Sequence, residues 1–160
     1  MAVIKVTSGN QAVLTLGNTS ALAVPGAANS LVVPFMQDVT VNATPGTVRY
    51  STLDSTASSA FTTVNENSIS LNVLVDHDVF FGASNAANQV ANDGLLSTSI
   101  AKTEINFSVA FEGSEDTGDY YVSGTGFIGG LAPTASIDQA VWITPMEIIV
   151  NGELTKAQTS

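Results

Sequence analysis

Several short stretches of the chain alternate apolar and polar residues with a period of two. Val39, Val41 and Ala43 share one face of an extended segment, with Thr40 and Asn42 on the other. Ile69, Leu71, Val73 and Val75 line up likewise, opposite Ser68, Ser70 and Asn72, until Leu74 breaks the rhythm. Ile105, Phe107, Val109 and Phe111 alternate with Glu104, Asn106, Ser108 and Ala110. Towards the C-terminus Val141, Ile143 and Pro145 alternate with Trp142 and Thr144, and Glu147-Ile148-Ile149-Val150 follows. Successive side chains of a strand point to opposite faces, so each run predicts a strand with one buried face. The β-branched and aromatic residues that fill these runs suit a pleated, half-buried surface.

Turn signals separate the runs: Thr44-Pro45-Gly46, Glu112-Gly113-Ser114, Thr117-Gly118-Asp119, Gly129-Gly130 and Asn151-Gly152. Short strands at this spacing predict a mainly-β sandwich or barrel. One stretch departs from the pattern. From Ser84 to Leu96, Ala, Asn and Gln dominate, with Ala86, Val90 and Leu95 near helical spacing. Ser84 or Asn85 as cap and Asp93-Gly94 as stop define one short flanking helix. Asp54 to Asn67 is polar and small, and reads as a long loop or mobile hairpin between two strands; connections of this length are often functional. Residues 17–30 are a second loose stretch, and 155–160 read as a frayed tail. No repeat is visible, and residues 1–160 form one expected domain.

Composition narrows the function. There is no cysteine, so disulfides, iron–sulfur clusters, cysteine nucleophiles and cysteine zinc sites are excluded. Lys and Arg number 4 against 14 Asp and Glu, a formal net charge of −10. Gripping nucleic acid requires basic residues to neutralise phosphates, and Lys5, Arg49, Lys102 and Lys156 are scattered singly. No apolar run approaches the roughly 18–20 residues of a membrane span. Met1-Ala2-Val3-Ile4-Lys5-Val6 has no leader character, which gives the expectation of synthesis in a cytoplasm. Apolar residues make up 44% of the chain and charged residues only 11%. A soluble monomer usually carries roughly 25–35% charged residues on its surface. The imbalance predicts a surface covered largely by copies of the same chain.

The chemical motifs are weak. Gly124-Thr125-Gly126-Phe127-Ile128-Gly129 matches G-x-G-x-x-G, but Gly130 and Pro133 follow where a dinucleotide site needs a helix, so a glycine-bearing strand is expected. Asp76-His77-Asp78 brings the single histidine to two acids, yet a strand would turn His77 away from both, and a solvated strand end is the expectation. Glu112, Glu115, Asp116 and Asp119 crowd one turn without the spacing of a calcium-binding EF-hand loop; an exposed acidic hairpin tip is expected, with weak calcium binding left open. No Ser-His-Asp arrangement is readable and aromatic residues to hold a sugar are few. The expectation is a protein that is not an enzyme and has no metal or cofactor.

Val48-Arg49-Tyr50-Ser51-Thr52-Leu53-Asp54-Ser55, then a polar loop, then Asn67-Ser68-Ile69-Ser70-Leu71-Asn72-Val73, resembles the second strand, long loop and third strand of phage tail tube proteins. The helix near 85–96 falls where that family has one. Asp119-Tyr120-Tyr121-Val122-Ser123-Gly124-Thr125-Gly126-Phe127-Ile128, the turn Pro133–Asp138 and the closing run Met146–Leu154 follow in the family's order. The resemblance covers about residues 38–155 and rests on order, spacing and composition; residues 1–37 match nothing in it. It implies a β-sandwich with one flanking helix. It also implies rings of six subunits, each giving four strands to an inner barrel of 24, stacked into a tube. The implied partners are further copies of the chain, a tape-measure protein and other tail proteins; the tape-measure protein and then DNA occupy the bore, the DNA without specific binding, and the protein belongs to a virion. The loop 54–67 would contact the next ring, with Ala60, Phe61 and Val64 as anchors. Like-charged walls would keep phosphates from sticking. The candidate bore-facing acids are Asp38, Asp54, Glu66, Asp76, Asp78, Glu104, Glu112, Glu115, Asp119 and Asp138. Two other readings fit the same composition: a capsid decoration or head protein, and a carbohydrate- or ligand-binding β-sandwich.

Overall fold

The computed structural model describes residues 12–18, 30–54, 56–83, 89–111, 119–138 and 140–158. The described elements, in chain order, are β1 Val13–Asn18, β2 Leu31–Val32, β3 Met36–Thr44, β4 Thr47–Tyr50, β5 Ser59–Thr62, β6 Glu66–Leu74, α1 His77–Phe81, α2 Gln89–Ile100, β7 Glu104–Ala110, β8 Tyr120–Gly129, β9 Ile143–Val150 and β10 Thr155–Gln158. Eight strands form an antiparallel sheet in the order β2-β1-β7-β8-β9-β6-β3, with β10 beside β8. Strands β4 and β5 form a separate ribbon. The fold is the mainly-β sandwich expected from the sequence. Strand β8 joins its two limbs: Tyr120–Ser123 pair with β10, Gly126–Gly129 pair with β9, and β7 runs along the other edge.

Alternation decides which face is buried. In β6, Ile69, Leu71 and Val73 are almost fully buried, and the residues between them are half-buried on the opposite face. The register sets Val41 and Val39 beside Ile69 and Leu71 on one side, and Ile148 and Met146 beside them on the other. Leu14, Leu16, Ile105, Phe107 and Val109 belong to the same apolar cluster, with Val90 and Leu95 from α2. Burial of each such side chain contributes about 1.5–3 kcal/mol.

The helical region differs from expectation. Among the described residues two helices are present instead of one. Asp76-His77-Asp78 is not a strand end: Asp76 caps α1, its Oδ1 accepting the N–H groups of Asp78 at 3.1 Å and Val79 at 3.2 Å. The expected stop at Asp93-Gly94 is a kink inside α2, where Gly94 takes φ 78°, and helix continues to Ile100. Thr98 Oγ1 donates to the Gly94 carbonyl at 2.8 Å. Gly94 packs backbone to backbone on the end of α1: a Cβ there would stand 2.6 Å from the Phe80 carbonyl oxygen. Ser84, Asn85 and Ala86 lie outside the described residues.

Other differences have equally local causes. Strand β7 is flanked by β1 and β8, and Asn106, Ser108 and Ala110 are buried as well as Ile105, Phe107 and Val109, while Phe111 is exposed. In β9 the polarity is reversed, with Thr144, Met146 and Ile148 buried and Pro145 exposed. Residues 155–158 do not fray, because they extend β8's partner edge as β10, with the Lys156 ammonium 5.2 Å from the centre of the Tyr120 ring. Strand β1 runs into the stretch expected to be loose from residue 17.

Opposite the core, Thr15 pairs with Ser108 across β1 and β7, both fully buried. Thr15 Oγ1 and Ser108 Oγ have no hydrogen-bond partner. An unsatisfied buried hydroxyl costs about 1–3 kcal/mol. Ser108→Ala is therefore expected to leave stability unchanged or raise it by up to about 1 kcal/mol in denaturant unfolding. Gly94→Ala is expected to lower it by about 2–4 kcal/mol, because both the positive φ and the facing backbone resist a side chain. A loss below the error of the same unfolding measurement would contradict that close approach.

Candidate functional site

The residues that alternate away from the core form one continuous outward face on β3, β6, β9 and the second half of β8. Across it run Thr44–Glu66, Asn42–Ser68–Ile149–Phe127, Thr40–Ser70–Glu147–Gly129 and Asp38–Asn72–Pro145. The rows combine hydroxyls, amides and three carboxylates with the apolar Ile149, Phe127 and Pro145, and no Lys or Arg stands in any of them. Asn42 Nδ2 donates to Ser68 Oγ at 3.2 Å. At the bulge between Met36 and Asp38, the Asp38 carboxylate accepts the Asn72 backbone N–H at 3.0 Å and its Nδ2 at 2.8 Å. That pair holds the acid on the outward side where the ladder slips. A groove of about 630 Å³ crosses this face beside Asp38, Thr40, Ser70 and Glu147.

Of the two forms expected for this stretch, a long loop or a hairpin, the structure shows a hairpin arm. The β3–β6 pair continues past a joint as the β4–β5 ribbon, with the Thr63 N–H bonded to the Gly46 carbonyl at 2.7 Å. Gly46 is required at this joint, since a Cβ would strike Thr63 Oγ1 and the Val64 carbonyl. Val48, Tyr50 and Phe61 share one face of the arm, where the Tyr50 and Phe61 rings lie 6.1 Å apart. Arg49 and Ala60 are paired on the other face. All four strand positions on each side are exposed. A cleft of about 800 Å³ opens where the arm meets the sheet, lined in part by Asn42, Val64, Glu66, Ser68, Glu147 and Ile149.

The candidate acids thus separate. Asp38 and Glu66 lie on the outward face. Glu104 is at its border, paired with Phe127, and accepts the Asn151 Nδ2 at 2.7 Å. Asp54 sits at the arm's tip, Asp76 and Asp78 at the start of α1, and Asp138 in the β8–β9 connection. Asp119 immediately precedes β8, whereas Glu112, Glu115 and Asp116 lie outside the described residues. Glu147 belongs with Asp38 and Glu66, although the reversed polarity of β9 hid it; the spacing Pro145, Glu147, Ile149 carries the signal. Of the proposed anchors, Ala60 and Phe61 are in β5, and Val64 follows it, highly exposed.

Gly124–Gly129 lies within β8, as expected of a glycine-bearing strand. Among the described residues, no three His, Asp or Glu side chains gather as a metal site. No helix there is long and apolar enough to cross a membrane.

The arm contributes no side chain to the apolar core. Excising residues 47–62 and bridging Gly46 to Thr63 with a two-residue turn is therefore expected to shift the melting temperature by only a few degrees, on the order of what surface changes produce. A collapse of the folded state in a thermal melt would make the arm part of the core.

No protein-family model matches the chain, and no curated protein matches it. Solved structures do share its fold. One is a chain of the virion of a native gene transfer agent particle, with TM-score 0.64, 12% identity and coverage of 95% of this chain and 99% of that one. Another is a chain of the tail of an empty gene transfer agent particle, refined with C6 symmetry, with TM-score 0.64, 14% identity and the same coverage. Over nearly its whole length the chain shares the fold of a chain from a C6-symmetric gene transfer agent tail, the mainly-β fold to which its sequence pointed.

Proposed function

We propose that this chain is a structural, non-enzymatic subunit of a phage-type tail, whose copies close into rings of six that stack into a tube around an electronegative bore. The observation that carries this reading is the outward face of β3, β6, β9 and β8. It holds Asp38, Glu66 and Glu147 without a basic residue, on a sheet that ends in an unpaired strand. Among the described residues, β3 has no partner on its outer edge. An unpaired edge invites another chain, and closing strands round a ring removes it. The sparse charge of the sequence and the C6 symmetry of a tail of the same fold both support the ring.

In that ring the outward face turns to the bore. Six copies of the three acids repel the phosphates of passing DNA, so DNA moves through without specific binding. A tape-measure protein would precede it, the assembly would reside in the virion, and the subunit would be made in the host cytoplasm. The arm reaches the next ring, with Ala60, Phe61 and Val64 among its contacts.

Negative-stain imaging of the purified protein, together with its mass in solution, tests the reading. Rings of six and tubes are expected, and a strict monomer at high concentration overturns it. The chain lacking residues 55–65 should stop at single rings; long tubes would exclude a stacking role for the arm. The E66K/E147K variant tests the bore's charge separately. Its tubes should retain short duplex DNA at low salt and release it as salt rises, unlike the parent tubes. Equal retention by both would place these acids away from the path of DNA.

A further inference from the structure

Among the asparagines of the chain, only Asn151 is followed by glycine. That neighbour matters chemically. Glycine has no Cβ, so its peptide nitrogen is open to close approach by the preceding side chain. The structure keeps the approach open. Asn151 and Gly152 lie just past the end of β9, both are exposed, and a Cβ at Gly152 would meet nothing within 4 Å. The Gly152 N–H has no hydrogen-bond partner among the described residues. By contrast, Asn67 and Asn106 are buried inside β6 and β7. Thr125 holds the Asn151 main chain twice. Its carbonyl accepts the Asn151 N–H at 2.8 Å, and its Oγ1 donates to the Asn151 carbonyl at 3.0 Å. The Asn151 side chain is held by Glu104, where Nδ2 donates to Oε1 at 2.7 Å. This bond ties the end of β9 to the start of β7 across β8.

We propose that Asn151-Gly152 is a self-modification site, and that Glu104 is the positioning residue that restrains it. The Gly152 nitrogen attacks Asn151 Cγ. The new N–Cγ bond closes a succinimide ring, and the Gly152 N–H proton passes to solvent. The Cγ–Nδ2 bond breaks, and Nδ2 takes a proton from water and leaves as ammonia. Water then opens the ring. Attack at Cγ gives aspartate, and attack at the main-chain carbonyl gives isoaspartate. The balance is one water consumed and one ammonia released, with no change of oxidation state. Glu104 opposes the step, because its charge-assisted hydrogen bond must yield before Nδ2 can take up a proton. The product cuts the tie. A carboxylate cannot donate to Glu104, so two like charges face each other where a hydrogen bond stood. One negative charge is thereby added to the formal −10, at the border of the outward face. The inference goes beyond the tail reading and stands with or without it.

The full chain, incubated at mildly alkaline pH in water enriched in heavy oxygen, tests this. Peptide mass spectrometry should find the heavy oxygen at residue 151, in both aspartate and isoaspartate. It should enter there about tenfold or more faster than at Asn67 or Asn106, whose strands must open first. Label entering residue 151 no faster than those positions overturns the site. E104A should speed the conversion about three- to tenfold. E104Q keeps an acceptor for Nδ2 and should fall between the parent and E104A, which also serves if E104A does not fold. T125A loosens the same turn but leaves the amide tie, so it should speed the conversion less than E104A. Equal acceleration by T125A, or none by either Glu104 variant, removes the positioning role. N151D carries the aspartate product from the start. It should melt a few degrees below the parent, and the E104Q/N151D variant should recover most of that loss. An N151D melt equal to the parent's overturns the cutting of the tie.

Discussion

A sheet that buries one face against itself leaves the other face no choice of partner. Ile69, Leu71, Val73, Met146 and Ile148 must point inward to make the core, so Ser68, Ser70, Asn72, Glu147 and Ile149 must point outward. Here the outward face is neither charged enough to dissolve easily nor apolar enough to be a second core. It mixes hydroxyls and amides with Ile149 and three acids. The bulge at Asp38 has the same logic, since the hydrogen bonds from Asn72 keep a carboxylate outward where the register slips.

The second consequence concerns what surrounds that face. The known basic residues within the described chain, Arg49, Lys102 and Lys156, all lie off its four strands. Exposed large apolar side chains include Val48, Tyr50 and Phe61 on the arm, Phe35 and Trp142 at the opposite end of β6, and Ile149 on the outward face itself.

Much of this was legible in the order of residues. The alternation of β6 and the inward side of β7 follow from strict period-two patterns, and the glycine-bearing β8 from the failure of any helix to follow Gly129. Less was legible where tertiary context overrode local pattern. Trp142 and Thr144 looked like an outward pair, but β6 and β8 flank β9 and draw Thr144 in, where its Oγ1 accepts the Ala132 N–H. That inversion concealed Glu147. Asp76-His77-Asp78 read as a strand end because capping is a three-residue signal next to a strong strand. The tail 155–158 carries no pattern of its own, and its order comes from an edge of β8 supplied by the fold. The arm was legible as one of two options, a hairpin between two strands, but its bounds were not, since Val48, Tyr50 and Phe61 have no core to declare them.

The most direct test of the whole account is a three-dimensional reconstruction of the assembled protein. The account predicts a closed bore whose wall is β3, β6, β9 and β8, with Asp38, Glu66 and Glu147 facing inward and β3 paired to a neighbouring subunit. A reconstruction that places this face on the outer surface, or leaves β3 unpaired within the assembly, contradicts it.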